Sequence, residues 1–435
     1  MNVSLDTHRI PGDTFTAIAE GNGGEAAARF LVAIQHSKHV LLLRRVVSLA
    51  AAAGHDEADA ARLAYGHLAD IQERDPGAVA AVIGHPAVGA WAREVVRTLE
   101  SAEIDAAVSP AQLAAVAAAA AIRARLPFAA EIPVLDGSAM LPSLGRASAS
   151  AGHLRVSGDG VTIDQATLPA DLSAEEAGWQ GLRRLSVRAG GQDIELLIDD
   201  LDPCRAPGAE NIAGRLSAAD AARWQSIVSD GWDLLERHHR AVAEEAAIMI
   251  RVLTPLHPLP DGYVSSTARH AFGAVMLSTP PDARSFALTI AHELQHAKLS
   301  ALLDIIPMTH RDDGRVFYAP WREDARPASG LLQGAYAFLG VAAFWRRQSK
   351  VADGEFAIAE FARWADGVRR VTDTLLQSGS LTRPGEVFVS GIDRTLRRWD
   401  AEPVPASAIA QAKLASDEHE ERWRRRNSDL AALLG

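Results

Sequence analysis

A single cysteine, Cys204, in 435 residues excludes an intramolecular disulfide and any zinc or iron–sulfur centre built from several thiolates. The chain also lacks a run of about eighteen uninterrupted apolar residues. Its start, MNVSLDTHRI, has neither the basic nor the apolar block of a signal peptide, so a bacterial-style cytoplasmic protein without a membrane span is expected. Basic charge is not in surplus. The 44 Lys and Arg stand against 55 Asp and Glu, a net −11 spread along the sequence, so no global field recruits nucleic acid or an anionic membrane. Internal repeats are absent too. What is present, 48% hydrophobic residues in a chain of this length, is enough to bury a sizeable core.

Residues 15–128 are alanine-rich with helical spacing, and the punctuation GHDEADA, RDPGAVA and SPAQLAA separates roughly five helices. The run AAVAAAAAIRARLP reads as a packed helix, because Ala has the highest helix propensity and its flanks are apolar. From 129 to about 205 the pattern changes to three to five short strands, with AGGQ as a hairpin turn. Residues 216–254 read as one long helix opened by a Ser-x-x-Asp cap, and helices resume after the segment SSTARHAFGAVMLS. The expected fold is α+β and predominantly helical, with regions at 1–128, 129–210, 211–350 and 351–435 in one integrated unit.

The stretch that carries chemistry is AHELQHAKLS, which places His292 and His296 four apart around Glu293. The spacing predicts a helix over 282–305, roughly 36 Å long, capped by the Thr of TPPD and stopped by Pro307. His292 and His296 then lie about 40° apart on one stripe. Apolar residues cover both sides of that helix, so it is expected to be buried between helical layers and a small antiparallel sheet, with two imidazoles in need of a partner. A divalent metal is such a partner in an HExxH arrangement, and Glu293 beside it is a general base or an orienting neighbour. The extended HExxHxxGxxH pattern is missing, since residues 299 and 302 are Leu.

The next helix, 328–347, presents Gly330, Gly334, Ala337 and Val341 as a smooth face suited to close approach on the motif helix. Gln333 flanks that face and is a candidate third ligand. Asp304, His310 and Glu360 are others, each read first as a solvated or capping residue. Between the helices, Arg322 and Arg326 offer two planar forks for a carboxylate, or simply pair with Glu323 and Asp324. Tyr318 and Trp321 read as pocket wall or core. Ser265, Thr267 and His270 lie on a segment expected to run as an edge strand along a substrate groove. His238 and His239 read as surface histidines, and Cys204 as inert.

The combination AFGAVMLSTPPD, HELQHAKLSALLDIIP, YAPWREDARPASGLLQGAYAFLGV and LLQSGSLTRPG resembles the HExxH-motif peptide-modification proteins of bacterial ribosomal-peptide pathways, most closely over about 263–390. That resemblance implies an iron- and 2-oxoglutarate-dependent peptide β-hydroxylase acting on Asp, Asn or His of a precursor peptide, alongside a radical-SAM maturation enzyme. It makes His292 and His296 ligands of Fe(II), places Glu293 beside the metal, and gives Arg322 and Arg326 the anchoring of 2-oxoglutarate. It departs at the third ligand: relatives carry a histidine in the helix where this chain has Gln333 and Phe338. Without the resemblance the motif alone points to a zinc metallopeptidase with Glu293 as base. A metal-poor peptide-binding scaffold is a third reading.

Overall fold

Alanine tolerates close helix approach and loses no side-chain entropy, and the first third of the chain uses both properties. In a computed structural model that describes residues 8–101, 108–164, 166–189, 191–260, 262–351 and 354–428, this third forms Gly12–Ala19, Gly24–Ala52, Ala58–Arg74, Pro76–Ile83, Pro86–Ser101 and Leu113–Ala124. The low-complexity helix Leu113–Ala124 is buried along nearly its whole length, as its apolar flanks require. The class is α+β and mostly helical, about 56% helix.

The β region holds more strands than the sequence suggests, because most are only two to five residues long and show too little alternation to be counted. Two four-stranded antiparallel sheets occupy residues 128–181. The strands on either side of AGGQ pair antiparallel, Ala189 opposite Gln192, with Gly191 at φ +80°; residue 190 lies outside the described residues.

The sheet beside the motif helix departs from expectation. It is five-stranded and mixed, in the order Ser265–Ser266, Ala274–Ser278, Val252–Leu256, Gln192–Ile198, Arg183–Ala189. Its three middle strands are parallel, and every residue of VLTPL and AVMLS is buried. Parallel strands covered on both faces read as continuous apolar runs, which periodicity cannot distinguish from buried helix. The segment before the motif is therefore not one edge strand: Ser265–Ser266 forms a two-residue edge, a turn follows, and Ala274–Ser278 runs inside the sheet.

The expected long helix over 216–254 is two helices, Ala218–His238 and Arg240–Met249, followed by a strand. Ser217 caps the first as anticipated, accepting from the Asp220 N–H at 3.1 Å. The break falls at His239, which is buried and not on the surface; its ring stacks on Phe344 at 4.2 Å. Burial pushes this imidazole down to about 4. The unfolded chain takes up the proton near 6.5 and the folded chain resists it, so stability is retained above that pH and lost as pH falls from 6.5 toward 4. His239→Phe is expected to reduce this acid-side loss by about 1.4 kcal/mol per pH unit within the window, measured by urea unfolding at several pH values. Parallel losses in both proteins would assign the slope to other groups.

The motif helix, Ala283–Leu303, has no exposed residue. Its cap is Asp282, whose carboxylate accepts from the Ser285 N–H at 2.7 Å; Thr279, the expected cap, instead accepts from the Trp224 indole. Glycines let a neighbour approach on each side. A Cβ at Gly231 would stand 2.8 Å from the Ala283 carbonyl oxygen, and one at Gly340 2.7 Å from that of Ala291. Gly340, in the helix Ala328–Gln348, thus makes the close approach expected of Gly330 and Gly334. Those two face the Arg326 and Trp321 side chains instead. Gly340→Ala is expected to cost about 1–3 kcal/mol, because backbone must move, and denaturant unfolding reads it. Ala328–Gln348 is also the helix among the described residues long and apolar enough to cross a membrane, and it is mostly buried in the protein.

Helices Gly354–Gln377, Arg383–Trp399 and Ala406–Arg426 complete the fold. Two large apolar cores result. One gathers Phe15 to Ile34 with residues from 185 to 396, around the motif helix; the other gathers Val40 to Ile122 with the strands up to Trp179. The helix Gly24–Ala52 contributes Leu31 to the first and Leu43 to the second.

Candidate metal centre

One turn of helix separates His292 from His296, and the fold turns both rings to the same half-buried surface, with centroids 4.8 Å apart and planes at 78°. The His296 Nδ1 lies 3.0 Å from Gln333 Oε1. A carboxamide oxygen only accepts, so Nδ1 is the donor here and Nε2 is the nitrogen left for another partner. The His292 ring makes no hydrogen bond among the described residues; it meets the edge of Phe338 at 5.1 Å. Burial, with His296 adding a smaller push, lowers this imidazole to about 3. Each ring thus keeps a nitrogen that no hydrogen bond among the described residues occupies, which is the first geometric condition for binding a metal.

Glu293 points elsewhere. Only 1% exposed, it accepts a hydrogen bond on each oxygen, from Ser265 Oγ at 2.8 Å and Thr267 Oγ1 at 3.0 Å. Burial raises its carboxyl above the usual range, against the lowering effect of His296 and the two hydroxyls. Ser265 and Thr267, expected to line a groove, serve here to fasten the edge of the mixed sheet to the motif helix.

The other third-ligand candidates do not join the pair. Asp304 receives Lys38, Gln35 and Arg269; Glu360 receives the Trp364 indole; His310 is exposed. Among the described residues no three His, Cys, Asp or Glu side chains are grouped to hold an ion. Gln333 is the polar side chain brought to the histidines, and it touches His296 as a hydrogen-bond partner. For a metal held by the two imidazoles, Gln333→Leu is expected to weaken its binding about 10–100-fold by freeing the ring, whereas Gln333→Glu retains an acceptor and much of the affinity; calorimetric titration separates them.

Aromatic residues wall the site. Trp321 stacks on Phe338 at 4.7 Å, and Trp364 leans on the same ring at 4.6 Å. Tyr318 instead contacts Trp423 and shares a hydrogen bond with His419. Arg322 and Arg326 turn to one carboxylate, Asp324, at 2.7 and 3.0 Å, while Glu323 pairs with Arg426. His270 is half-buried, with Nδ1 unpartnered among the described residues. The Ser265 and Thr267 contacts, the Phe338 wall and Gly340 carry no motif. Their only sequence signal is proximity to the HExxH helix.

Set against known protein families and curated proteins, the chain matches none. The chemistry of the site therefore rests on its own residues.

Proposed function

We propose that this protein is an iron- and 2-oxoglutarate-dependent oxygenase that hydroxylates a peptide side chain at His292 and His296. The observation that carries the metal centre is the His292 ring: neutral, half-buried and without a hydrogen bond, 4.8 Å from a second imidazole whose Nδ1 proton is committed to Gln333. The donor set fits an intermediate-to-soft divalent ion, and with few protein donors it leaves positions for a bidentate oxo acid and for dioxygen. Bound iron would supply the oxidising chemistry.

The chain's own residues supply position and exclusion of water. Gln333 orients His296; Trp321, Phe338 and Trp364 form a wall against which a side chain can lie. Arg322 or Arg326 would take a distal carboxylate by exchange with Asp324, an exposed pairing that is weak enough to yield. Glu293, with both oxygens occupied, acts as a positioning residue, which speaks against the zinc peptidase in which it would activate water.

The test is turnover by the full chain supplied with ferrous iron, 2-oxoglutarate and air. Succinate formation, together with addition of one oxygen atom to peptides bearing Asp, Asn or His, supports the proposal. Zinc-dependent chain cleavage without an oxygen requirement would replace it with a peptidase, and peptide binding without any reaction would leave a scaffold.

A further inference from the structure

Away from the metal centre, a cavity of about 740 Å³ lies between the helix Gly24–Ala52, the turn after Pro76–Ile83, the helix Arg240–Met249 and the mixed sheet. None of His292, Glu293, His296 or Gln333 lines it. Its volume falls in the range of small-molecule sites.

Its charge opposes that of the chain. Four guanidiniums, from Arg29, Arg123, Arg184 and Arg251, face one carboxylate, Glu195, in a protein of net charge −11. Arg29 and Arg184 are occupied by Glu25 and Glu195. Arg123 is held by Ser143, through Nε to Oγ at 3.1 Å and Nη2 to the carbonyl at 2.9 Å, which fixes its plane and leaves further donors unused. Arg251 is exposed and has no side-chain partner among the described residues. Ile248, Met249, Val252 and Phe272 add apolar wall.

A second feature points to a ligand. His85, 4% exposed, lines the cavity, and neither ring nitrogen has a hydrogen-bond partner among the described residues. Asp199 Oδ2 stands 3.8 Å from its Nε2, beyond hydrogen-bond distance, and is also without a hydrogen-bond partner among the described residues. A buried imidazole with an idle donor and an idle acceptor is costly, and such groups are ordinarily satisfied.

We propose that this cavity binds a small amphipathic anion, its carboxylate or phosphate head held by Arg251 and Arg123 and a polar group on its apolar body bonded to His85. Oxyanions match the guanidinium fork, the apolar walls accept an aliphatic body, and a hydroxyl would use the imidazole's free positions.

The test is calorimetric titration of the full chain with octanoate, 8-hydroxyoctanoate, octyl phosphate, acetate and octanol. Saturable one-to-one binding of the eight-carbon anions is expected, with acetate and octanol about tenfold weaker or worse; the tighter of octanoate and octyl phosphate identifies the head group. Arg251→Ala is expected to weaken the anions about tenfold. Ala81→Trp, an exposed position on the lining, is expected to block them without disturbing the core. His85→Phe is expected to raise the melting temperature of the free protein and to erase the preference for 8-hydroxyoctanoate over octanoate. His292→Ala should change none of these values, which separates this site from the metal centre. Absence of saturable binding, equal binding of octanol and octanoate, or binding untouched by both Ala81→Trp and Arg251→Ala would overturn the proposal.

Discussion

His292→Ala is expected to abolish stoichiometric iron binding and, with it, every metal-dependent turnover of the chain, while leaving the fold intact. The ring makes no hydrogen bond among the described residues and is half-buried, so its removal deprives no neighbour of a hydrogen-bond partner and costs only the edge contacts with Phe338 and His296. What remains, one imidazole and a carboxamide, is too few donors to retain a divalent ion against water. Metal analysis after dialysis and circular dichroism of the same sample read both parts. His296→Ala should behave alike toward metal but also strand Gln333, whose oxygen loses the His296 Nδ1. Full iron retention by His292→Ala would remove the basis for both the oxygenase and the peptidase, since each needs the pair. Glu293→Gln offers a contrast: the two hydroxyl contacts can be largely kept, so an oxygenase should retain most activity, whereas a peptidase would lose its base.

Glu245→Ala is expected to destabilise the protein by about 3–5 kcal/mol, the usual cost of leaving one member of a buried ion pair alone. Lys298 Nζ donates to Glu245 Oε2 at 2.8 Å, with side chains 1% and 4% exposed. The Lys298 ammonium also donates to the Gly21 carbonyl at 3.2 Å and lies 5.8 Å from the Tyr336 ring centroid, and Glu245 Oε1 accepts from the Gly24 N–H at 2.7 Å. Lys298 stands two residues beyond His296, so the pair fastens the motif helix to the helix Arg240–Met249 and to the turn before Gly24–Ala52. Denaturant unfolding measures the loss. A double variant, Glu245→Leu with Lys298→Met, should recover much of it, because an apolar pair of similar volume carries no desolvation cost. If the double variant is as unstable as the single one, the backbone contacts to Gly21 and Gly24 are what matter.

The motif helix was legible to within two residues at each end, because HExxH lies in a run whose apolar residues surround the helix and whose ends carry an acid and a proline. The helix beginning at Ala328 was equally plain. Its contact surface was not: small residues recur along it, and only the three-dimensional approach of the Ala291 carbonyl singles out Gly340. The β region misled for a different reason. Two-residue strands such as Ser265–Ser266 have no periodicity to detect, and the buried parallel strands have no polar face. On a continuous helix the HHRAV stretch places His239 on the solvent face; the break there turns its ring onto Phe344. At the site, the imidazoles could be named from spacing. The hydroxyls that hold Glu293 come from 26 and 28 residues upstream and needed the fold.

The helix Gly24–Ala52 has a consequence for how the molecule comes apart. Its first half is seated in the core around the HExxH helix and its second in the alanine-rich bundle, joined by one unbroken hydrogen-bonded rod. Loosening either assembly drags on the other through that shared element, so heat or denaturant should dismantle both in a single step, and a cut anywhere near Val40 would leave two fragments each missing part of its interior.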